Sequence, residues 1–86
     1  MSIVWSDEAW EEYLSWQTED RKTLKRINDL IQDIDRNGLS HGIGKPELLK
    51  NRKAWSRRID HANRLVYEYD ENYKFRIISC KGHYDR

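Results

Sequence analysis

The sequence predicts a small α+β domain in the order β-α-α-β-β-β, with a two-helix hairpin packed on one face of an antiparallel sheet. Two periodicities and one boundary predict it. Over residues 7–34 apolar side chains recur at intervals of three and four, the spacing of one helix face. From Trp55 onward the interval becomes two, the spacing of strands with one buried face. Between these regions lies a stretch with three of the four glycines and the only proline, a loop composition.

Residues 2–5 (SIVW) read as a short strand. Ser6 is a candidate N-cap, with Asp7 and Glu8 in the first turn, where a helix dipole favours anions. Ala9, Trp10, Tyr13, Leu14 and Gln17 then place a helix over residues 7–17. Thr18 is the expected cap of a second helix, whose apolar stripe is Leu24, Ile27, Leu30, Ile31 and Ile34. Asn37-Gly38 stops it. Residues 38–50 form the glycine-bearing loop, in which Pro46 directly precedes Glu47. Residues 55–60, 63–69 and 74–80 alternate as strands. The connections His61-Ala62 and Asp70-Glu71-Asn72 are short enough for hairpins, hence a meander. No repeat, low-complexity tract or linker divides the chain, so residues 1–86 read as one domain.

Alternation also assigns faces. Leu65, Tyr67 and Tyr69 are expected to look toward the helices, together with Trp55 and Ile59. Ser56, Arg58 and Asp60, and Arg64, Val66 and Glu68, are expected on an uncovered face. Arg57 then falls on the core side, where it either snorkels at an edge or signals a different register.

Composition narrows the function. An 86-residue chain buries a modest share of its surface, so its four tryptophans and five tyrosines supply much of the available core. The single cysteine, Cys80, permits no intrachain disulfide and reads as a small buried hydrophobe. Acids follow Trp5 at once, which is neither a signal peptide nor a membrane span, so a cytoplasmic protein is expected. No Cys or His spacing suits a metal, and no cofactor is called for. The net charge of +1 hides a split: residues 1–35 carry −5 and residues 36–86 carry +6. Such asymmetry points to one surface that meets a polyanion.

The basic half concentrates candidates for that role. Lys45, Lys50, Arg52, Lys53 and Arg58 surround Glu47 and Arg64, and His83-Tyr84 follows the last strand. Clustered guanidinium groups beside an aromatic suit a phosphodiester backbone. A carboxylate, an arginine and a histidine are also a minimum set for cutting RNA. The ribose 2′-hydroxyl is a built-in nucleophile. A glutamate is ionised at neutral pH and can take its proton, a histidine can protonate the leaving 5′-oxygen, and an arginine can hold the phosphate as charge builds up. Each residue taken singly also has a plain reading, as a surface turn, a hairpin ion pair or a loose chain end. His41 and His61 read as loop histidines.

The segments "VWSDEAWEEYLSWQ", "KRINDLIQDI", "GKPELLK", "WSRRI", the "HRLVY"-like "ANRLVY" and the final "HY" resemble, in order and over residues 3–84, the YoeB toxins of bacterial toxin–antitoxin systems, in the RelE/ParE superfamily. The resemblance implies a RelE-like fold akin to microbial RNases. It implies an endoribonuclease that cuts mRNA in the A site of the 70S ribosome. It makes Glu47 the general base, Arg64 the phosphate-stabilising arginine, His83 the general acid and Tyr84 the residue that orients or stacks on the RNA. Arg58 and Lys50 match basic positions that hold RNA. A YefM-like antitoxin with an acidic segment is implied as partner, and a homodimer, for which exposed aromatics are the candidate contact. Three departures stand out. Leu48 replaces the family's second proline, the loop from Glu47 to Trp55 is shortened to "KNRKA" without the usual "HxLxG", and Asp85-Arg86 follow Tyr84. The alternatives are a gyrase poison of the ParE branch, a non-catalytic RNA- or antitoxin-binding module, and an inactive remnant retaining antitoxin contacts.

Overall fold

Ser6 ends the first strand, begins the first helix and ties both to the sheet. Its backbone is extended, its Oγ accepts the Ala9 N–H (3.0 Å), and its hydroxyl donates to the Ile78 carbonyl (2.7 Å). The structure, a computed structural model, describes residues 2–50, 52–72 and 74–83. In chain order the elements are β1 (Ile3–Trp5), α1 (Asp7–Glu19), α2 (Arg21–Asn37), β2 (Glu47–Leu48), β3 (Trp55–Arg58), β4 (Arg64–Asp70) and β5 (Lys74–Ser79). No helix among the described residues is long and apolar enough to cross a membrane.

The helix hairpin turns on one residue, and it is Asp20 rather than Thr18. The Asp20 carboxylate accepts from the Lys22 and Thr23 N–H groups (3.0 and 3.3 Å) and from the Thr23 hydroxyl (3.0 Å), capping α2. Thr18 stays inside α1, its hydroxyl donating to the Ser15 carbonyl (3.2 Å). A carboxylate at the helix junction satisfies two orphan N–H groups at once, which displaces the expected start by two residues.

The five strands lie in the order β1-β5-β4-β3-β2. β3 to β5 form the expected antiparallel meander and β2 extends it, but β1 runs parallel to β5, so the sheet is mixed rather than wholly antiparallel. β1 pairs along the edge of β5 that β4 leaves open, with Ile3 opposite Phe75 and Trp5 opposite Ile77. β2 was read as loop: two exposed residues give no alternation, and only pairing with β3 makes them a strand.

The α2 stripe packs on the sheet as predicted. Ile27, Leu30, Ile31 and Ile34 meet Leu65, Tyr67, Phe75 and Ile77, with Ala9 and Trp16 from α1. Cys80 belongs to this core, and burial pushes its thiol up to about 12. Tyr69 faces the helix side as expected, but at its margin. It lines a depression with Ile34, Gly38 and Phe75 at the end of α2, and remains 57% exposed. The other sheet face is not fully uncovered either, because Leu49 and Ala54 fold over Val66 and Ile78.

Arg57 neither snorkels nor shifts the register. It is fully buried on the helix side, and all five of its N–H groups are used. Nε donates to the Tyr67 hydroxyl (2.9 Å). Nη1 donates to Asp33 Oδ2 (2.5 Å) and the Ile43 carbonyl (3.0 Å), and Nη2 to the carbonyls of Gly38 (2.8 Å) and His41 (2.7 Å). Asp33 also accepts from the Ile43 N–H and the Asn37 amide. Gly42 closes over this group with φ 124°, and a Cβ there would lie 1.8 Å from Asp33 Oδ2.

Removing one member of such a set leaves buried charge unpaired. Arg57→Leu is expected to lower the unfolding free energy by about 3 kcal/mol or more, measured by urea denaturation. The Arg57 hydrogen bond, opposed by burial and aided by the Ile43 N–H and Asn37, holds the Asp33 carboxyl below the usual range. A group whose folded pKa is depressed contributes stability that is full above its unfolded value, near about 4, and is lost as pH falls through the folded one. Wild type is therefore expected to lose stability more steeply than Asp33→Asn in denaturation series run downward from that pH.

Candidate active site

β3 serves two faces. Arg57 points into the core, while Ser56 and Arg58 point the other way, toward the predicted site. The register places Glu47 opposite Ser56 and Arg58 opposite Arg64, so Glu47, Ser56, Arg58 and Arg64 share one side. The loop that delivers Glu47 is built from the Arg57 group outward. Gly44 accepts the Arg58 N–H through its carbonyl (2.7 Å). Lys45 then adopts φ 52°, a left-handed backbone that costs a lysine about 1 kcal/mol or more. Pro46 follows, and Glu47 enters the sheet.

Arg64 is the hub of this face. Its Nη1 lies 3.5 Å from Glu47 Oε1 and donates to the Ser56 hydroxyl at 3.0 Å. Its backbone N–H donates to the Gly82 carbonyl (3.0 Å), so the residue before His83 is bound to the same arginine. The Glu47 side chain is 65% exposed and that of Arg64 21%. An ion pair this open is worth less than about 1 kcal/mol, and Arg64 can exchange it for a phosphate at little cost. His83 is exposed, and its Nε2 lies 3.1 Å from the His61 carbonyl. A carbonyl only accepts, so Nε2 carries hydrogen in this contact. Arg64 thus holds Glu47 through its guanidinium and Gly82, the residue before His83, through its backbone. Tyr84 lies outside the described residues, as do Asp85 and Arg86.

The basic candidates divide. Lys45, Lys50, Lys53 and Arg58 are exposed around this rim. Arg52 is committed to Glu68 (3.4 Å), which also holds Arg76 (3.1 Å). Two side chains escaped the sequence reading as site residues. Ser56 is 1% exposed and braces Arg64; alternation placed it on the right face, but a serine carries no signal of its partner. Glu68 neutralises two arginines, a pairing that depends on the short loop folding back over β4.

The sequence model of the YoeB-like toxins of bacterial type II toxin–antitoxin systems matches residues 5–84. The chain belongs to this family. Toxin YoeB of Escherichia coli (strain K12) is 43% identical over 86 residues, spanning 98% of this chain and 100% of that protein. A YoeB dimer from Staphylococcus aureus superposes with a TM-score of 0.89 at 48% identity, and a heterotetrameric YoeB-YefM complex from the same organism with 0.87 at 49%; each covers 98% of both chains. The chain therefore has the YoeB-type fold, two helices on a five-stranded mixed sheet.

Releasing the arginines held by Glu68 is expected to strengthen the basic face. Glu68→Gln is expected to elute from heparin at higher salt than wild type, and Arg52→Ala at lower salt.

Proposed function

We propose that this YoeB-family toxin is an endoribonuclease that cuts mRNA in the ribosomal A site by attack of a 2′-hydroxyl on the adjacent phosphate. One observation supports it above the rest. Arg64 touches the Glu47 carboxylate with its guanidinium and holds the residue before His83 with its backbone. A phosphate bound at Arg64 would then have a base on one side and an acid on the other.

Glu47 Oε1 takes the 2′-hydroxyl proton as the 2′-oxygen bonds to phosphorus. Arg64 and Arg58 carry the charge that accumulates on the phosphoryl oxygens. His83 gives a proton to the departing 5′-oxygen, and the products are a 2′,3′-cyclic phosphate and a 5′-hydroxyl. Lys45, Lys50 and Lys53 line the approach for the backbone of mRNA or ribosomal RNA, and Tyr84 completes the RNA contact. Arg52 joins them once Glu68 releases it. All catalytic groups in this scheme are side chains of the toxin, and it operates in the cytoplasm, where ribosomes are.

Partners follow from the relatives. The S. aureus YoeB is found both as a dimer and with YefM. A YefM-like antitoxin suits the basic rim, and its acidic segment would order on binding. For a homodimer, Trp10 is 45% exposed beside Trp5 and Tyr13 and offers apolar surface.

The test is primer extension on a defined mRNA in a purified translation system. Wild type is expected to produce cuts only with ribosomes present. Glu47→Ala, Arg64→Ala and His83→Ala should each reduce them by about a hundredfold or more while remaining folded. Full cleavage by Glu47→Ala would remove it as the base. No cleavage by folded wild type would leave the binding-module, remnant or gyrase-poison readings.

A further inference from the structure

His83 is exposed, and little but its backbone can hold it in place. Both polar groups of the preceding peptide residue are tied to the β3–β4 turn. The Gly82 N–H donates to Asn63 Oδ1 (2.7 Å), and the Gly82 carbonyl accepts the Arg64 N–H (3.0 Å). Gly82 has φ 83°, a left-handed backbone that redirects the chain there.

The turn that does the holding is itself braced. Asp60 Oδ1 accepts the N–H groups of Ala62 (2.8 Å) and Asn63 (2.7 Å), and the Asn63 amide donates back to both Asp60 oxygens (3.1 and 3.2 Å). Burial opposes ionisation of Asp60, but hydrogen bonds from Ala62 and Asn63 outweigh it and hold the carboxyl below its ordinary range. Between the two braced positions sits His61, whose carbonyl receives His83 Nε2 (3.1 Å). One side chain, Asn63, therefore connects the Asp60 brace to the backbone of the acid.

We propose that Asn63 is a positioning residue for proton donation: with Asp60 it sets the turn whose Asn63 side chain and His61 carbonyl hold Gly82 and His83 against Arg64, leaving Nδ1 as the nitrogen that serves the departing 5′-oxygen. In that step the Nδ1–H bond breaks and an O5′–H bond forms, while Nε2 keeps its hydrogen on the His61 carbonyl. The inference rests on His83 being the acid.

The experiment compares single-turnover cleavage on programmed ribosomes for two substrates, an ordinary linkage and one with a 5′-bridging sulfur at the cut. A thiolate leaves without being protonated, so the sulfur substrate bypasses the acid. Asn63→Ala is expected to cleave the ordinary linkage about tenfold or more slowly, with an unchanged half-saturating ribosome concentration, because misplacing a catalytic group costs rate rather than binding. On the sulfur linkage it should match wild type. The double exchange Asp60→Asn with Asn63→Asp keeps the net charge and reverses one donor–acceptor pair. It is expected to cleave the ordinary linkage faster than Asn63→Ala, since position 60 still accepts the two backbone N–H groups, position 63 still accepts the Gly82 N–H, and one of the two side-chain hydrogen bonds between them re-forms. Equal slowing on both substrates, or no slowing on either, would overturn the proposal while His83→Ala remains inactive on the ordinary linkage alone. Wild-type cleavage of the ordinary linkage by His83→Ala would instead remove the acid assignment, and this inference with it.

Discussion

Much of this molecule follows from one guanidinium in a place where alternation calls for an apolar side chain. Arg57 is buried beneath α2 with five N–H groups to satisfy, and the protein answers with Asp33, the Tyr67 hydroxyl and three carbonyls from residues 38–43. A buried ion pair is not a large net source of stability compared with a well-packed apolar group. Its consequence is geometric. Ser40, His41 and Gly42 have little apolar surface with which to pack, so their path is set by where the Arg57 donors point. Tyr67 adds a link by donating to the Leu39 carbonyl (2.7 Å). No buried side-chain nitrogen or oxygen among the described residues is left without a partner.

That path ends at the candidate site. From Ile43 the chain passes Gly44, bound to the Arg58 N–H, and the left-handed Lys45, and reaches Glu47 in register with Ser56. Core and site therefore share a strand: inward from β3 lies the group that shapes the loop, and outward lie the residues that the loop approaches. The chain's later return is governed by the β3–β4 turn, which holds Gly82 through Asn63 and Arg64. A loop rich in glycine and the segment Gly82-His83 after the last strand are both made definite by polar groups on β3, β4 and their turn.

The segment after Glu47 is closed by few contacts. Leu49 and Ala54 are buried over Val66, with the Leu49 N–H donating to the Ala54 carbonyl (2.9 Å). Two apolar residues suffice to close the loop, and Leu48 is 57% exposed and lies outside that packing. The same loop carries Arg52 to Glu68, so the basic charge counted in the sequence is partly neutralised in the fold.

Periodicity alone determined the helix hairpin, the three long strands and the inward set of Ile27, Leu30, Ile34, Leu65 and Tyr67, because burial of one face imposes a repeat that can be counted. It also placed Arg58 and Arg64 on one side and Arg57 on the other, and the resemblance of whole segments to YoeB toxins supplied the roles proposed for Glu47, Arg64 and His83. Only the tertiary structure decided that β1 lies parallel to β5, that two loop residues become β2, that Asp20 rather than Thr18 caps α2, and that Arg57 is sequestered rather than exposed. It alone joined Ser56 to Arg64 and Asn63 to Gly82. The physical reason is common to all of these. They are contacts between residues distant in the chain, or choices between neighbouring polar groups, and a hydrogen bond depends on where two groups meet in space, which no local repeat records.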